Sequence, residues 1–242
     1  MMTAALWPTS LTAHYTLAMP PDSTQQTTPD GSAKGGARMR DREVRQALHS
    51  RVLREHHGQP NTLVLDELGL RHGTVRVDIA VVNGFLHGYE IKSDADTLAR
   101  LPTQVDVYSK VLDRATLVVG ERHVEKAKLC VPEWWGIKVV CSGPRGGIDF
   151  ETARSIQMNP AIDPLALAEL LWRDELVALL QKSGVSTKLL RQPRGALYKH
   201  LVEIMSLDEL RVTIRQQLKA RERWRGQRPP SSGDGSLTPT PK

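Results

Sequence analysis

The sequence predicts an α/β protein: an αβββαβ unit around a mixed central sheet, followed by a C-terminal helical region. Three observations predict it. TVRVDIAVV alternates apolar and polar residues at the period of a strand, and FLHGYEIK follows it across Asn83-Gly84 as a second such run. Apolar runs then alternate with helix-spaced segments as far as GIKVVC. From about residue 160 to 225 only helical spacing remains.

The elements follow in chain order. Val44, Ala47, Leu48 and Val52 fall at helical spacing, which predicts a helix over 41–57. TLVLDELGL reads as a strand, and Gly73 helps to turn it back. In TVRVDIAVV, alternation places Val75, Val77, Ile79 and Val81 on one face and Arg76, Asp78 and Ala80 on the other. FLHGYEIK is the third strand. Leu98, Leu101, Val105, Tyr108 and Leu112 mark a helix, with Pro102 near its first turn or at a kink. ATLVVG is a buried strand by composition, VEKAKLC a short helix and GIKVVC a last strand. In the helical region, Asp163-Pro164 is an N-cap followed by proline, Gly184 is a stop, and Ser206 to Glu209 match a capping box.

This pattern divides the chain. Residues 1–38 are rich in Pro, Thr, Ser, Gly and Gln without periodicity, and are expected to be a disordered extension. Residues 39–145 form the α/β core, 146–161 a linker, 162–225 a basic helical region and 226–242 a disordered tail. The chain has 242 residues and a formal net charge of +6, a balance that favours an acidic partner, nucleic acid being the commonest. Two cysteines, Cys130 and Cys141, are too few for a disulfide scaffold and lack zinc spacing, so both are read as reduced thiols. No apolar run reaches the ~20 residues of a spanning helix, and the N-terminus lacks a basic n-region. The expectation is a soluble, cytoplasmic protein with no membrane partner.

The chemistry concentrates between Arg76 and Asp94. Glu90 and Lys92 are two apart on one strand and share a face. Whether Asp78 joins them depends on the hairpin. A two-residue turn at Asn83-Gly84 sets Asp78 opposite Tyr89, away from Glu90. A three-residue loop of Val82, Asn83 and Gly84, with Gly84 left-handed in a bulge, sets Asp78 opposite Gly88 and diagonal to Glu90. The bulged loop is the expected one, with Gly88 leaving room beside the acids. Two carboxylates on a half-buried sheet repel, and a hard divalent cation relieves the repulsion. Such an ion makes a bound water nucleophilic towards a phosphodiester, and Lys92 can orient that water or stabilise developing charge. Glu67 completes the set if the preceding turn has two residues, His72 and Gly73; with three, Asp66 takes that place.

Asp78, followed across a hairpin by Glu90-Ile91-Lys92, resembles the D…(E)XK signature of the PD-(D/E)XK nuclease superfamily. The αβββαβ order resembles that family's restriction-endonuclease-like core. Val77 stands where the family usually has proline. Gln104 and Tyr108, four apart on the next helix, resemble the QxxxY motif of RecB-type exonuclease modules. The run from Asp66 to Gln104 is also similar to a small bacterial family of uncharacterised nuclease-like proteins. The resemblance implies Mg²⁺ (or Mn²⁺) held by Asp78, Glu90, the Ile91 carbonyl and, in a further place, Glu67. It implies Lys92 as the group that orients or activates the attacking water; it assigns no substrate, and DNA is the expected one. Iron–sulfur members of the QxxxY group need four cysteines, so no cluster is expected here.

Other residues carry readings of their own. Gln104 is read as a substrate contact, Tyr108 fits either the apolar stripe or a substrate contact, and Arg100 either reaches a phosphate or pairs on the surface. Asp94 and Asp96, with Thr97, are read as caps of the following helix. The histidines stand in no zinc pattern, and Trp134-Trp135 reads as core. Lys188, Arg191, Arg194, Lys199, Arg211, Arg215, Lys219, Arg221, Arg223 and Arg225 form a basic face that either follows a nucleic-acid backbone or is simply solvated. The alternative function is a non-catalytic or partner-dependent nucleic-acid-binding module on the same fold. A further one is an assembly protein, a homodimer or a complex with another protein, joined through the C-terminal helices.

Overall fold

A computed structural model describes residues 40–143 and 147–221. The expected disordered segments 1–38 and 226–242, with Arg223 and Arg225, lie outside these residues.

Among the described residues six strands form one sheet in sequential order. These are β1 (Leu63–Leu70), β2 (Val75–Val82), β3 (Leu86–Lys92), β4 (Arg114–Gly120), β5 (Gly136–Ser142) and β6 (Ile148–Arg154). β1, β2 and β3 are antiparallel neighbours; β3, β4 and β5 run parallel; β6 returns antiparallel to β5. The sheet is therefore mixed, as expected. The linker expected over 146–161 is corrected: IDFETAR pairs with β5 from Ser142↔Ile148 onward and makes an edge strand.

Helix α1 (Asp41–Ala47) runs into a π-helical turn, Leu48–Val52, and then α2 (Arg54–Gly58). The π turn changes which residues face the sheet. Val44 and Leu48 are four apart, but the next fully buried residue is Leu53, five further on. Leu53 N donates to Leu48 O at 2.9 Å, the i→i+5 bond of that turn. Val52, expected on the buried stripe, is only partly buried.

Two cores flank the sheet. The smaller lies under α1 and joins Val44, Leu48 and Leu53 to Ile79, Val81, Tyr89 and Ile91. The larger lies on the opposite face and continues without a break into the C-terminal helices. It receives α3 (Leu101–Ser109), α4 (Val124–Cys130), α5 (Pro164–Ala168), α6 (Arg173–Lys182), α7 (Thr187–Leu190), α8 (Arg194–Ile204) and α9 (Leu207–Ala220). The helical region is thus part of one core with the sheet. Leu210, Ile214 and Leu218 of α9 are spent on it. Trp134 and Trp135 are buried as expected. The local signals in this region hold: Asp163 caps α5, Gly184 follows α6 at φ 76°, and Ser206 and Glu209 form the box that opens α9.

Strict alternation in β2 does not hold. Val77, Ala80 and Val82 belong to the larger core, whereas Ile79 and Val81 belong to the smaller one. The faces exchange at Asp78. The ladder to β1 skips this residue and Glu67 between Asp66↔Ile79 and Leu68↔Val77. Glu67 takes a left-handed φ of 57°, rare for a residue with a side chain. Both strands therefore kink at one level of the sheet.

Candidate active site

The β2–β3 hairpin corrects the expected register. Its loop has three residues, but they are Asn83, Gly84 and Phe85, because Val82 pairs with Leu86. Gly84 is not left-handed. The Asn83 side chain closes the turn by accepting from Phe85 N at 3.0 Å. Ala80 faces Gly88. The space beside Gly88 holds Leu112 and Val77, so a cation has no room there. Continued by one step past Ile79↔Tyr89, the same register brings Asp78 level with Glu90.

At that level the ladder stops and the strands part. The Asp78 carboxylate takes over a backbone role: Oδ2 accepts from Ile91 N at 2.7 Å. Its other oxygen accepts from the Arg45 guanidinium at 3.1 Å. A cleft of about 800 Å³ opens here, lined by Asp41, Glu67, Asp78, Glu90, Lys92 and Arg100 among others.

Glu90 is almost wholly enclosed, at 1 % exposure. Lys92 Nζ donates to its Oε1, which also accepts from Gln104 Nε2 at 2.6 Å, and Oε2 accepts from Tyr108 Oη at 2.6 Å. Tyr108 Oη also lies against the Arg76 carbonyl. The QxxxY residues on α3 therefore hold the acid in place; Tyr108 also packs in the larger core, as its place on the apolar stripe predicts, and stacks on Trp135. Arg100 is exposed at the rim of the cleft. Asp94 and Asp96 do not cap α3, whose N-cap residue is Arg100. Asp96 instead accepts from Ser93 N and Oγ at 2.8 and 2.6 Å.

Burial sets the electrostatics. It pushes the Asp78 carboxyl above the usual range, against the opposing pull of Ile91 N–H, Arg45 and Lys92. It pushes Glu90 up as well, helped by the charge of Asp78 and opposed by Lys92 and Tyr108. Tyr108 is raised in turn, by burial first and then by Glu90.

Glu67 lies level with Asp78, the register expected of the shorter turn, although Arg71 to Thr74 form the connection. Its carboxylate sits 3.1 Å from Arg45. Arg45 also reaches Asp41 at 3.8 Å and Asp66 at 4.0 Å. Sequence reasoning missed Arg45 and Asp41, since two polar positions on an amphipathic helix give no sign of facing a cleft. It also missed His49, which contacts Asp66 at 2.9 Å and His57 at 3.1 Å.

Among the described residues no group of three or more His, Cys, Asp or Glu is placed to cage a metal ion. Mg²⁺ does not need such a cage, since it keeps several waters and takes one or two carboxylates. Asp78 keeps a lone pair on each oxygen beyond its hydrogen bonds, and Glu90 Oε2 keeps one. Gln104 Oε1 is buried without a partner beside them. This donor set of oxygens at a polar cleft fits a hard divalent ion.

A family model described as Bacteriophage P4 protein cII matches residues 37–227, which takes in the whole cleft and all nine helices among the described residues. The chain belongs to this cII family. Protein cII of Enterobacteria phage P4 is 22% identical over 187 residues, covering 76% of this chain and 68% of that relative. No solved structure matches. In this cII-like chain the family match spans the sheet and the C-terminal helices together, the same span that shares one hydrophobic core.

Of the basic face expected on the C-terminal helices, the four residues from Arg211 to Arg221 are committed elsewhere, whereas Lys188, Arg191, Arg194 and Lys199 are exposed. Arg211 and Arg215 reach the buried Asp113 at 3.2 and 3.3 Å. Lys219 donates to Asn61 Oδ1 at 2.7 Å. Arg221 is buried, bonds Glu175 at 2.7 Å and stacks over the Trp172 ring. Both cysteines are free thiols. No helix among the described residues is long and apolar enough to cross a membrane.

Proposed function

We propose that the protein is a metal-dependent nuclease that hydrolyses phosphodiester bonds in DNA. One observation carries the reading. Asp78 and Glu90, both with raised carboxyl pKa values, line one cleft at the parting of two strands, with the Lys92 ammonium against Glu90. Perturbed acids and a buried amine grouped in a cleft are characteristic of catalytic sites.

Asp78, Glu90 and the Ile91 carbonyl would hold Mg²⁺ or Mn²⁺, which when bound makes a water acidic and screens the phosphate. The chain's own groups do the rest. Gln104 and Tyr108 fix the Glu90 carboxylate so that its free lone pair points one way. Lys92, at 6 % exposure, would orient the attacking water or stabilise the developing negative charge. Arg100, at the rim of the cleft, would meet a backbone phosphate.

The test is cleavage of linear, circular and single-stranded DNA with Mg²⁺, Mn²⁺ or EDTA, beside Asp78→Ala and Lys92→Ala. Metal-dependent cleavage lost in both variants is the expected result. A second reading, a non-catalytic or partner-dependent nucleic-acid-binding module, draws on a different observation: Arg45 and Lys92 already balance the acids of the cleft. Absence of cleavage, with DNA binding intact in wild type and both variants, would decide for that module.

A further inference from the structure

We propose that Arg45 is the built-in counter-ion of the acidic cleft and competes with a divalent cation for it; this rests on the metal-dependent reading above. The Arg45 side chain leaves α1 one residue beyond the buried Val44 and reaches over the kink shared by β1 and β2. One terminal nitrogen lies 3.1 Å from both Asp78 Oδ1 and Glu67 Oε1 and 3.8 Å from Asp41. The other donates to the Asp78 carbonyl at 2.7 Å. Glu67 adopts its left-handed backbone where its carboxylate meets this guanidinium.

One guanidinium nitrogen shared by two acids holds them together, and the other ties the group to the backbone. It also places a fixed positive charge one hydrogen bond from the carboxylate that would ligate a metal. Two cations at that spacing repel, most strongly in a half-buried site. Lys92 balances Glu90 in the same manner. The cleft is therefore stable without a metal, and divalent affinity is held below what its carboxylates alone would give.

Isothermal titration with MnCl₂ on the full chain tests this, using wild type, Arg45→Gln, Arg45→Lys, Asp78→Asn and the Arg45→Gln/Asp78→Asn double variant. Arg45→Gln should bind Mn²⁺ about tenfold tighter or more. Arg45→Lys should stay near wild type, because it keeps the charge. Asp78→Asn should abolish binding in both backgrounds. Asp78-dependent binding that is equal or weaker in Arg45→Gln overturns the role of Arg45 and leaves the metal site standing. No Asp78-dependent binding in any variant overturns the metal reading and this proposal together. The Arg45 Nε–H resonance of ¹⁵N-labelled wild type gives a second measurement that needs no variant. It should shift as Mg²⁺ saturates the cleft, and a resonance that stays fixed overturns the proposal.

Discussion

Two clusters of buried charge in this molecule use the same residue types to opposite ends. Asp113 is closed. At 2 % exposure its carboxylate accepts from Leu86 N at 2.8 Å and faces Arg211 and Arg215 of α9, with core packed around it. Asp78 and Glu90 border open space, although Glu90 is itself as enclosed as Asp113. They also face an arginine and a lysine, but along a cleft of about 800 Å³ where two strands part. The closed cluster anchors a helix to the sheet. The open one keeps lone pairs and space, so its charges remain available to a ligand. A buried ion pair by itself is weak evidence for function; the unfilled volume beside it makes the difference.

Four measurements would break or sharpen this contrast. The largest effect is expected for Lys92→Ala, which should cut metal-dependent DNA cleavage by on the order of 10²–10⁴-fold with an unchanged circular dichroism spectrum. A variant that cleaves as fast as wild type would remove the open cluster from the chemistry. Next comes Asp113→Ala, which strands two arginines against the core. Urea denaturation should show a loss of about 3–5 kcal/mol, and a loss within experimental error would mean that the closed cluster anchors nothing.

Gly88→Ala probes the floor between the clusters. An added Cβ would meet Leu112 Cδ1 at 2.5 Å and Val77 Cγ1 at 2.9 Å, so overpacking should cost about 1–3 kcal/mol in the same assay. An unaffected variant would show the floor to be soft. Asp78→Asn has the smallest expected effect on stability and the opposite sign. Burial raises the Asp78 and Glu90 carboxyls, so the folded state binds these protons more tightly than the unfolded chain. The stability they contribute is complete below the ordinary carboxylate range near about 4 and is lost as pH rises through the raised values. Removing the Asp78 charge should flatten that decline and raise Tm at neutral pH by on the order of a few degrees. A Tm that falls instead would mean that the Arg45 pair outweighs desolvation at this site.

How much of this was legible can be read residue by residue. The strands of residues 63–92 were visible as apolar runs bounded by turn residues, and α3, α4 and the capped C-terminal helices in spacing and cap residues. The acids and Lys92 were visible because charges interrupt apolar strands. β6 was not, since IDFETAR is half exposed and charged, as an edge strand can be. The hairpin loop was misplaced by one residue because Asn83 closes it with its own side chain, which leaves Gly84 no left-handed position to fill. The exchange of faces at Asp78 was hidden too, because it depends on a left-handed Glu67 in the neighbouring strand.

By itself, then, the sequence determined the kinds of element, their order and the presence of an acid–acid–amine set, because periodicity and local propensity act within a few residues of chain. Tertiary structure alone decided what each charge faces. Arg215 meets Asp113 across 102 residues of chain and Arg45 meets Asp78 across 33. The free energy of a buried charge depends on its partners and on the space beside it, and neither is encoded in its sequence neighbours. That is why the basic face of α9 reads as a surface for nucleic acid and folds as an anchor. It is also why an unremarked arginine on α1 arrives at the centre of the candidate site.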